Sequence, residues 1–541
     1  MPELHRTLLR GGSVYSPADP FATAMVVAGD QVVWIGSDVG GDVHRDTVDT
    51  VVELEGALVA PAFVDAHVHT TDTGLALQTA DLSQAWSRAE LLRLLGEAAS
   101  KSEGVLLAHG WDETQWPDAA LPTVAEIDSA VAGRPAYITR TDVHSALVSS
   151  PMLMQVAEVR GLDGYVESDG VVVLQRAAHH HARELAQHAI TPRQREAAQH
   201  VALSAAAVLG IASVHEMAGP EISSAADLES LLEFSASGTA PQVIAYWGAY
   251  CGEGIASDLA IAGAAGDYFV DGSLGSHTAL LREPYADTDT DGVAYLTAAH
   301  IRDHIVWCTQ HDTQAGFHVI GDGAMDLVVA GLHEAAALVG APTLRAARHR
   351  LEHAEMLDDT HVRALLEYGV SLSVQPVFDE RWGGTEGMYA QRLGADRAAS
   401  MNPFAYLVKQ GVPLAFGSDA PVTPMNPWGA VRAAAFTHNP GHALSVRAAF
   451  HAHTRGGWRA IRDDMSGTLV PGAPAHYAIW RATDLVVQVP DERVSAWSTD
   501  PRSGTPGLPD LTPGVPLPVA ARTVVAGRAI YDDGSLPEVK P

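Results

Sequence analysis

The stretch Ala57–Asp72, ALVAPAFVDAHVHTTD, runs apolar from Ala57 to Val64 and then places His67 and His69 one residue apart. In an extended chain side chains alternate faces, so these two imidazoles point the same way and can reach one ion. A continuous apolar run of this length predicts a buried strand, and Thr70, Thr71, Asp72 and Gly74 predict its exit into a loop.

Seven further apolar runs follow the same form: IASVHEM, QVIAYWGAY, DYFVDG, QAGFHVIGD, RLEHAE, SLSVQP and PLAFGSDAP. Helix-patterned segments come after most of them, such as MDLVVAGLHEAAALVG after the fifth run and DDTHVRALLEYG after the sixth. Eight strands alternating with helices predict an α/β fold of the (β/α)₈ TIM-barrel class. Residues 70–210 are too many for one crossover, so an inserted cap over the barrel mouth is expected at about 75–205. Flanking the barrel, TAMVVAGDQVVWIGS, with a turn at Gly29–Asp30, and ARTVVAGRAIYDD read as short strands. The predicted organisation is a composite β-sandwich from residues 1–56 and 464–541 around a barrel spanning 57–463.

Composition narrows the function. The net charge of −31 repels phosphate backbones and anionic lipid surfaces, so neither a nucleic-acid nor a membrane partner is expected. With only Cys251 and Cys308, no disulfide framework is implied, and the absence of a leader-like or spanning apolar stretch predicts a cytoplasmic protein. The triplet His179–His181 falls in a polar helical pattern and predicts a solvated helix face.

The chemistry collects where strands end. His67 and His69 close the first strand, His318 the fifth, His353 the sixth and Asp419 the eighth. C-terminal strand ends of such a barrel converge on one mouth, so these five residues predict a divalent-metal site, with Zn²⁺ favoured by the imidazole and carboxylate donors. Metal-activated water attacking a carbonyl carbon is the expected chemistry. On the substrate side, Trp111, Asp112, Trp116, Asp142 and His144 of the insertion are candidates. So are Asp271 and His277 after the fourth strand, and His215 and Glu216 at the end of the second.

The motifs HVH (67–69), GWDETQW, DVHSALVSS, DGSLGSHTA, FHVIGDGA, RLEHAE and GSDAPVTPMNP, together with the split β unit, resemble the amidohydrolase superfamily (amidohydrolase family 3), in the branch that includes N-substituted formamide deformylases. The resemblance implies metal-dependent hydrolysis of a non-peptide C–N bond, amide or formamide, in a small molecule. It implies that His67, His69, His318 and His353 are metal ligands or close partners of the metal, and that Asp419 binds metal and serves as general base. Relatives commonly carry a lysine, carboxylated to bridge two ions, four residues before the Asp of the fourth-strand DG motif; here that position is Asp267. The lysines are Lys101, Lys409 and Lys540, so no carboxylated lysine is expected and one ion is favoured over two. Asp267, placed at the start of its strand, is expected to fall short of the ion; it and Glu216 are the candidates for a second-metal or bridging role. The runner-up activity is a one-metal deaminase of a cyclic amidine or heterocycle, and the non-enzymatic alternative is a barrel serving as a binding or assembly module. A homodimer is the expected assembly.

Overall fold

The computed structural model describes residues 4–100, 104–255, 259–488, 497–498 and 506–540. At its centre is an eight-stranded parallel sheet, nearly closed into a barrel. In chain order its strands are Phe63–Val68, Ile211–Ala218, Gln242–Trp247, Gly263–Ala264, Gln314–Val319, Arg350–His353, Ser371–Val374 and Leu414–Phe416, each paired with its sequential neighbour. A bridge between Val68 and Ala420 joins the last strand's exit to the first. The first, second and fifth strands are buried along their whole length, which is why they do not show the apolar–polar alternation of a half-solvated strand.

Helices separate the strands as the sequence pattern requires. After the sixth strand, the Asp358 side chain accepts from the Thr360 and His361 amides to start the helix Asp359–Tyr368, and Gly369 ends it at φ +67°, a conformation that favours glycine. Among the described residues no single helix is long and apolar enough to cross a membrane.

The run at 57–69 divides between two sheets. Leu58–Pro61 pairs with Tyr477–Arg481 in a five-stranded sheet, and the chain then passes through Ala62 into the barrel strand. A second five-stranded sheet contains Arg6–Arg10, Ala24–Ala28 and Gln31–Gly36, the last two joined through Gly29–Asp30 as the sequence predicts. Both terminal sheets feed one apolar cluster that includes Leu9, Val27, Val59 and Ile479. Thr70–Ala76 is a helix rather than the expected loop.

The insertion forms its own six-stranded sheet between Ala80 and Gln175, followed by the helices Arg176–His188 and Pro192–Val208. The fourth barrel strand differs from its sequence reading. Regular pairing is confined to Gly263–Ala264, and of DYFVDG only Phe269 bridges the fifth strand, at His318. Asp267 therefore lies beyond the strand's C-terminal end, not at its start.

Candidate active site

Three histidines at the barrel mouth, His67, His69 and His353, are each fixed by one ring nitrogen and present the other. His67 Nδ1 lies 2.9 Å from Glu352 Oε2, His69 Nδ1 3.1 Å from the Met217 carbonyl, and His353 Nδ1 2.9 Å from Gln375 Oε1. Glu352 is itself held by the Arg350 guanidinium, at 2.6 and 2.9 Å, so the carboxylate behind His67 cannot swing away. The free nitrogens of His67 and His69 then meet two carboxylates. His67 Nε2 is 3.3 Å from Asp419 Oδ1 and 3.6 Å from Asp267 Oδ1, and His69 Nε2 is 3.2 Å from both Asp419 Oδ1 and Asp267 Oδ2.

These separations have a chemical meaning. Nitrogen and oxygen donors held about 2.0–2.2 Å from a tetrahedral ion stand about 3.3–3.6 Å from one another. Two atoms of the set, His67 Nε2 and Asp267 Oδ1, are buried with no hydrogen-bond partner, as is His318 Nδ1 nearby. Orphaned polar atoms are rare in folded proteins, and the two in this donor set, on His67 and Asp267, fit a cation that completes them. The His67–His69–Asp419 and His67–Asp267–His353 triads each bring their donor atoms within 4.8 Å of one another.

The local field agrees. Burial alone would lower the pKa of both His67 and His69, yet attraction to Asp419 and Asp267 overrides it and raises them, His69 to about 10. The two carboxylates are correspondingly held below their usual range despite burial. The pocket thus favours positive charge at its centre.

Backbone geometry brings the eighth strand's exit against the first. A Cβ on Gly417 would stand 2.6 Å from the His67 backbone nitrogen, so only glycine permits this approach. Both His353 (φ +69°) and Asp419 (φ +55°) sit in the left-handed region, a conformation that clusters at functional sites. Above the donors lies a small cavity, lined by His69, Asp267, His353 and Asp419 below and by Asp142, His144, His180 and Arg183 of the insertion above.

A family model described as the amidohydrolase family matches residues 50–531. The chain belongs to the amidohydrolase family. It is similar to Protein LONG AFTER FAR-RED 3 of Arabidopsis thaliana, with 26% identity over 517 residues, 87% of this chain and 86% of the relative. A solved structure of an uncharacterized metal-dependent hydrolase from Pyrococcus horikoshii OT3 is 25% identical with a TM-score of 0.68, covering 88% of this chain and 97% of that one. Its counterpart from Pyrococcus furiosus, 24% identical with a TM-score of 0.66 over 88% and 98% of the two chains, shares the fold.

In this member of the amidohydrolase family, the structure brings together His67, His69, His353 and Asp419, and adds Asp267 to them. The expectation that Asp267 falls short is corrected, because the residue follows its strand and its carboxylate meets both imidazoles. His318 lines the cavity, its ring 4.5 Å from that of His353, but lies outside both donor triads. Glu216 is drawn away, its Oε2 accepting the Thr70 amide at 2.7 Å, and His215 faces Arg350.

Several substrate-side expectations are also corrected. Asp271 is fully buried and accepts the backbone amides of Leu280, Ile320 and Gly321, so it clamps the loops behind His318. His277 pairs with Asp287 away from the cavity. Trp111 and Trp116 belong to the apolar core of the insertion, their indoles donating to the Ile138 and Ala85 carbonyls. Asp112 accepts from Arg140 and from the Trp382 indole, linking insertion to barrel without facing the donors. Only Asp142 and His144 of that group line the cavity.

The solvated face expected for His179–His181 is overturned in part. His179 is buried, 2.8 Å from the Tyr137 hydroxyl, and His180 faces the cavity beside Arg183. Sequence reasoning missed His180 and Arg183 because a helix buried by a separate domain shows the same polar pattern as one facing water. The available lysines lie elsewhere: Lys409 is on the helix Phe404–Gln410, Lys540 is in the terminal segment, and Lys101 is outside the described residues.

Proposed function

We propose that the chain is a metal-dependent hydrolase cleaving a non-peptide C–N bond, amide or formamide, in a small molecule. The observation that carries this reading is the meeting of His67 Nε2 and His69 Nε2 with carboxylate oxygens of Asp419 and Asp267, each nitrogen 3.2–3.6 Å from an oxygen of both, at the floor of a cavity. Family membership and the metal-dependent hydrolase described for the P. horikoshii relative support it. Those four residues would hold one divalent ion, since a single His67 nitrogen serves only one, and their nitrogen and oxygen donors favour Zn²⁺. The formamide-deformylase-like branch, the two-sheet terminal sandwich, a cytoplasmic setting and a homodimer belong to the same reading.

When bound, the ion supplies a water that ionises near neutral pH and polarises a carbonyl group. The rest of the chemistry falls to the chain. Asp419 accepts the proton of the attacking water on its carboxylate and returns it to the departing nitrogen, as general base and then general acid. His353, its tautomer fixed by Gln375, faces the developing charge on the carbonyl oxygen. His144 and Arg183 close the cavity from above.

The test is elemental analysis joined to turnover on a panel of formamides, amides and ureas. One equivalent of metal per chain is expected, and two would refute the single-ion version. Asp419→Asn should keep the wild-type melting curve while losing about 10²–10⁴-fold in turnover. Retained activity in that variant would sink its assignment as base.

A further inference from the structure

The cavity above the donors holds about 30 Å³ of free space, room for about two waters, so a substrate enters only by displacing a wall. Close-packed walls resist displacement, whereas a wall backed by empty space yields. One wall is backed in this way. Asp72, Val143, Arg183 and Pro421 face the metal cavity on one side and, on the other, a chamber of about 90 Å³ at the seam between insertion and barrel. Ala76 of the helix Thr70–Ala76, Ala108 of the strand Leu106–Trp111 and Ala186 of the helix Arg176–His188 keep the chamber open, since larger side chains there would fill it. The Tyr137 hydroxyl in its wall is turned to His179. Burial lowers the pKa of His109, so at neutral pH Asp72 and Arg183 are the only charged groups among the described residues that line the chamber, and they pair with each other. At the far end Leu75, Thr79, Leu107 and Ile190 are shared with a groove of about 640 Å³ on the outer surface.

Resting on the hydrolase reading above, we propose that this seam is the passage by which a small uncharged substrate reaches the metal cavity, gated by the ion pair between Arg183 and Asp72. Arg183 Nη2 donates to Asp72 Oδ2 at 2.8 Å, and the two residues sit on different elements, the insertion's helix and the barrel's. A small parting of those helices breaks the partition without unpacking a core, because the chamber already holds the space into which Arg183 swings. The walls select what passes: a charged molecule must shed its hydration to enter an apolar chamber, and an uncharged one loses far less.

The test reads the arrival of a small reagent at a cysteine placed in the metal cavity. In full-length protein carrying Cys251→Ser and Cys308→Ala, Val422→Cys puts a thiol on the cavity wall. Its labelling by uncharged methyl methanethiosulfonate and by the 2-sulfonatoethyl analogue is followed by mass spectrometry, each rate normalised to that reagent's rate with a free thiol. The uncharged reagent should label at least about tenfold faster than the sulfonate. Thr79→Trp at the outer neck and Ala76→Trp in the chamber, each with a wild-type melting curve, should slow the uncharged reagent at least about tenfold. Glu221→Trp, at the exposed rim of the metal cavity, should leave that rate within about twofold. Asp72→Ala should raise it about two- to fivefold, the factor that a half-exposed ion pair allows. No labelling of Val422→Cys, a rate indifferent to both Thr79→Trp and Ala76→Trp, or slowing by Glu221→Trp overturns the passage. An unchanged rate in Asp72→Ala removes the ion pair as its gate. Labelling needs neither metal nor turnover, so a protein that hydrolyses no compound counts against the hydrolase reading and leaves this outcome standing on its own.

Discussion

Asp267 stands where the superfamily pattern has a lysine, and its short carboxylate lies within 3.2 Å of His69 Nε2. A lysine side chain must carry a carboxyl group to offer oxygens; an aspartate offers them directly. Asp267→Ala should lower metal affinity by more than the 10- to 100-fold typical of losing a partner behind a ligand, measured by competition with a chelator. A variant that keeps its full equivalent of metal would remove Asp267 from the ligand set and leave His67, His69 and Asp419, with His353 beside them, to hold the ion. Of the residues around this one, His67, His69, His353 and Asp419 were legible because each ends a recognisable strand. Asp267 was misplaced because DYFVDG has the composition of a strand, and only hydrogen bonding shows that the ladder stops at Ala264.

The eighth strand is three residues long, yet its exit sets the geometry of the mouth, because Gly417 lets its backbone settle against His67. Gly417→Ala should destabilise the fold by about 1–3 kcal/mol through overpacking and should loosen the metal as the two strand ends part. Parallel thermal melting and metal titration check this; a fully stable variant with normal affinity would contradict it. The eight-strand pattern was readable because buried parallel strands give continuous apolar runs. The splitting of 57–69 between two sheets was not, since both halves are equally apolar and Ala62 carries no turn signal.

Asp142 ties the inserted domain to the barrel, accepting from Arg140 and from Ser273 and Ser276 of the loop after the fourth strand. Burial raises its pKa, but attraction to Arg140 and His144 together with the hydrogen bonds from Ser273 and Ser276 outweighs burial and holds it at about 2. A carboxylate depressed by folding stabilises the native state above its unfolded pKa of about 3.9 and loses that contribution as pH falls through the folded value. The contribution is roughly 2 kcal/mol. The melting-temperature gap between wild type and Asp142→Asn should therefore be constant above about pH 5 and narrow between pH 4 and 2. A gap that widens on acidification would show the tie is not ionic. How the insertion sits on the barrel was closed to sequence reading, because Arg140, Asp142 and Ser273 come from segments with no local pattern linking them.

Val59 in a terminal sheet and His67 at the metal centre lie on one uninterrupted length of chain, with Ala62 the sole joint between them. Strain applied at the outer sheets is therefore expected to reach the imidazole pair. Tags, fusions or trimmed ends are thus best judged by metal stoichiometry, since a preparation can express well and still have had its centre pulled out of true.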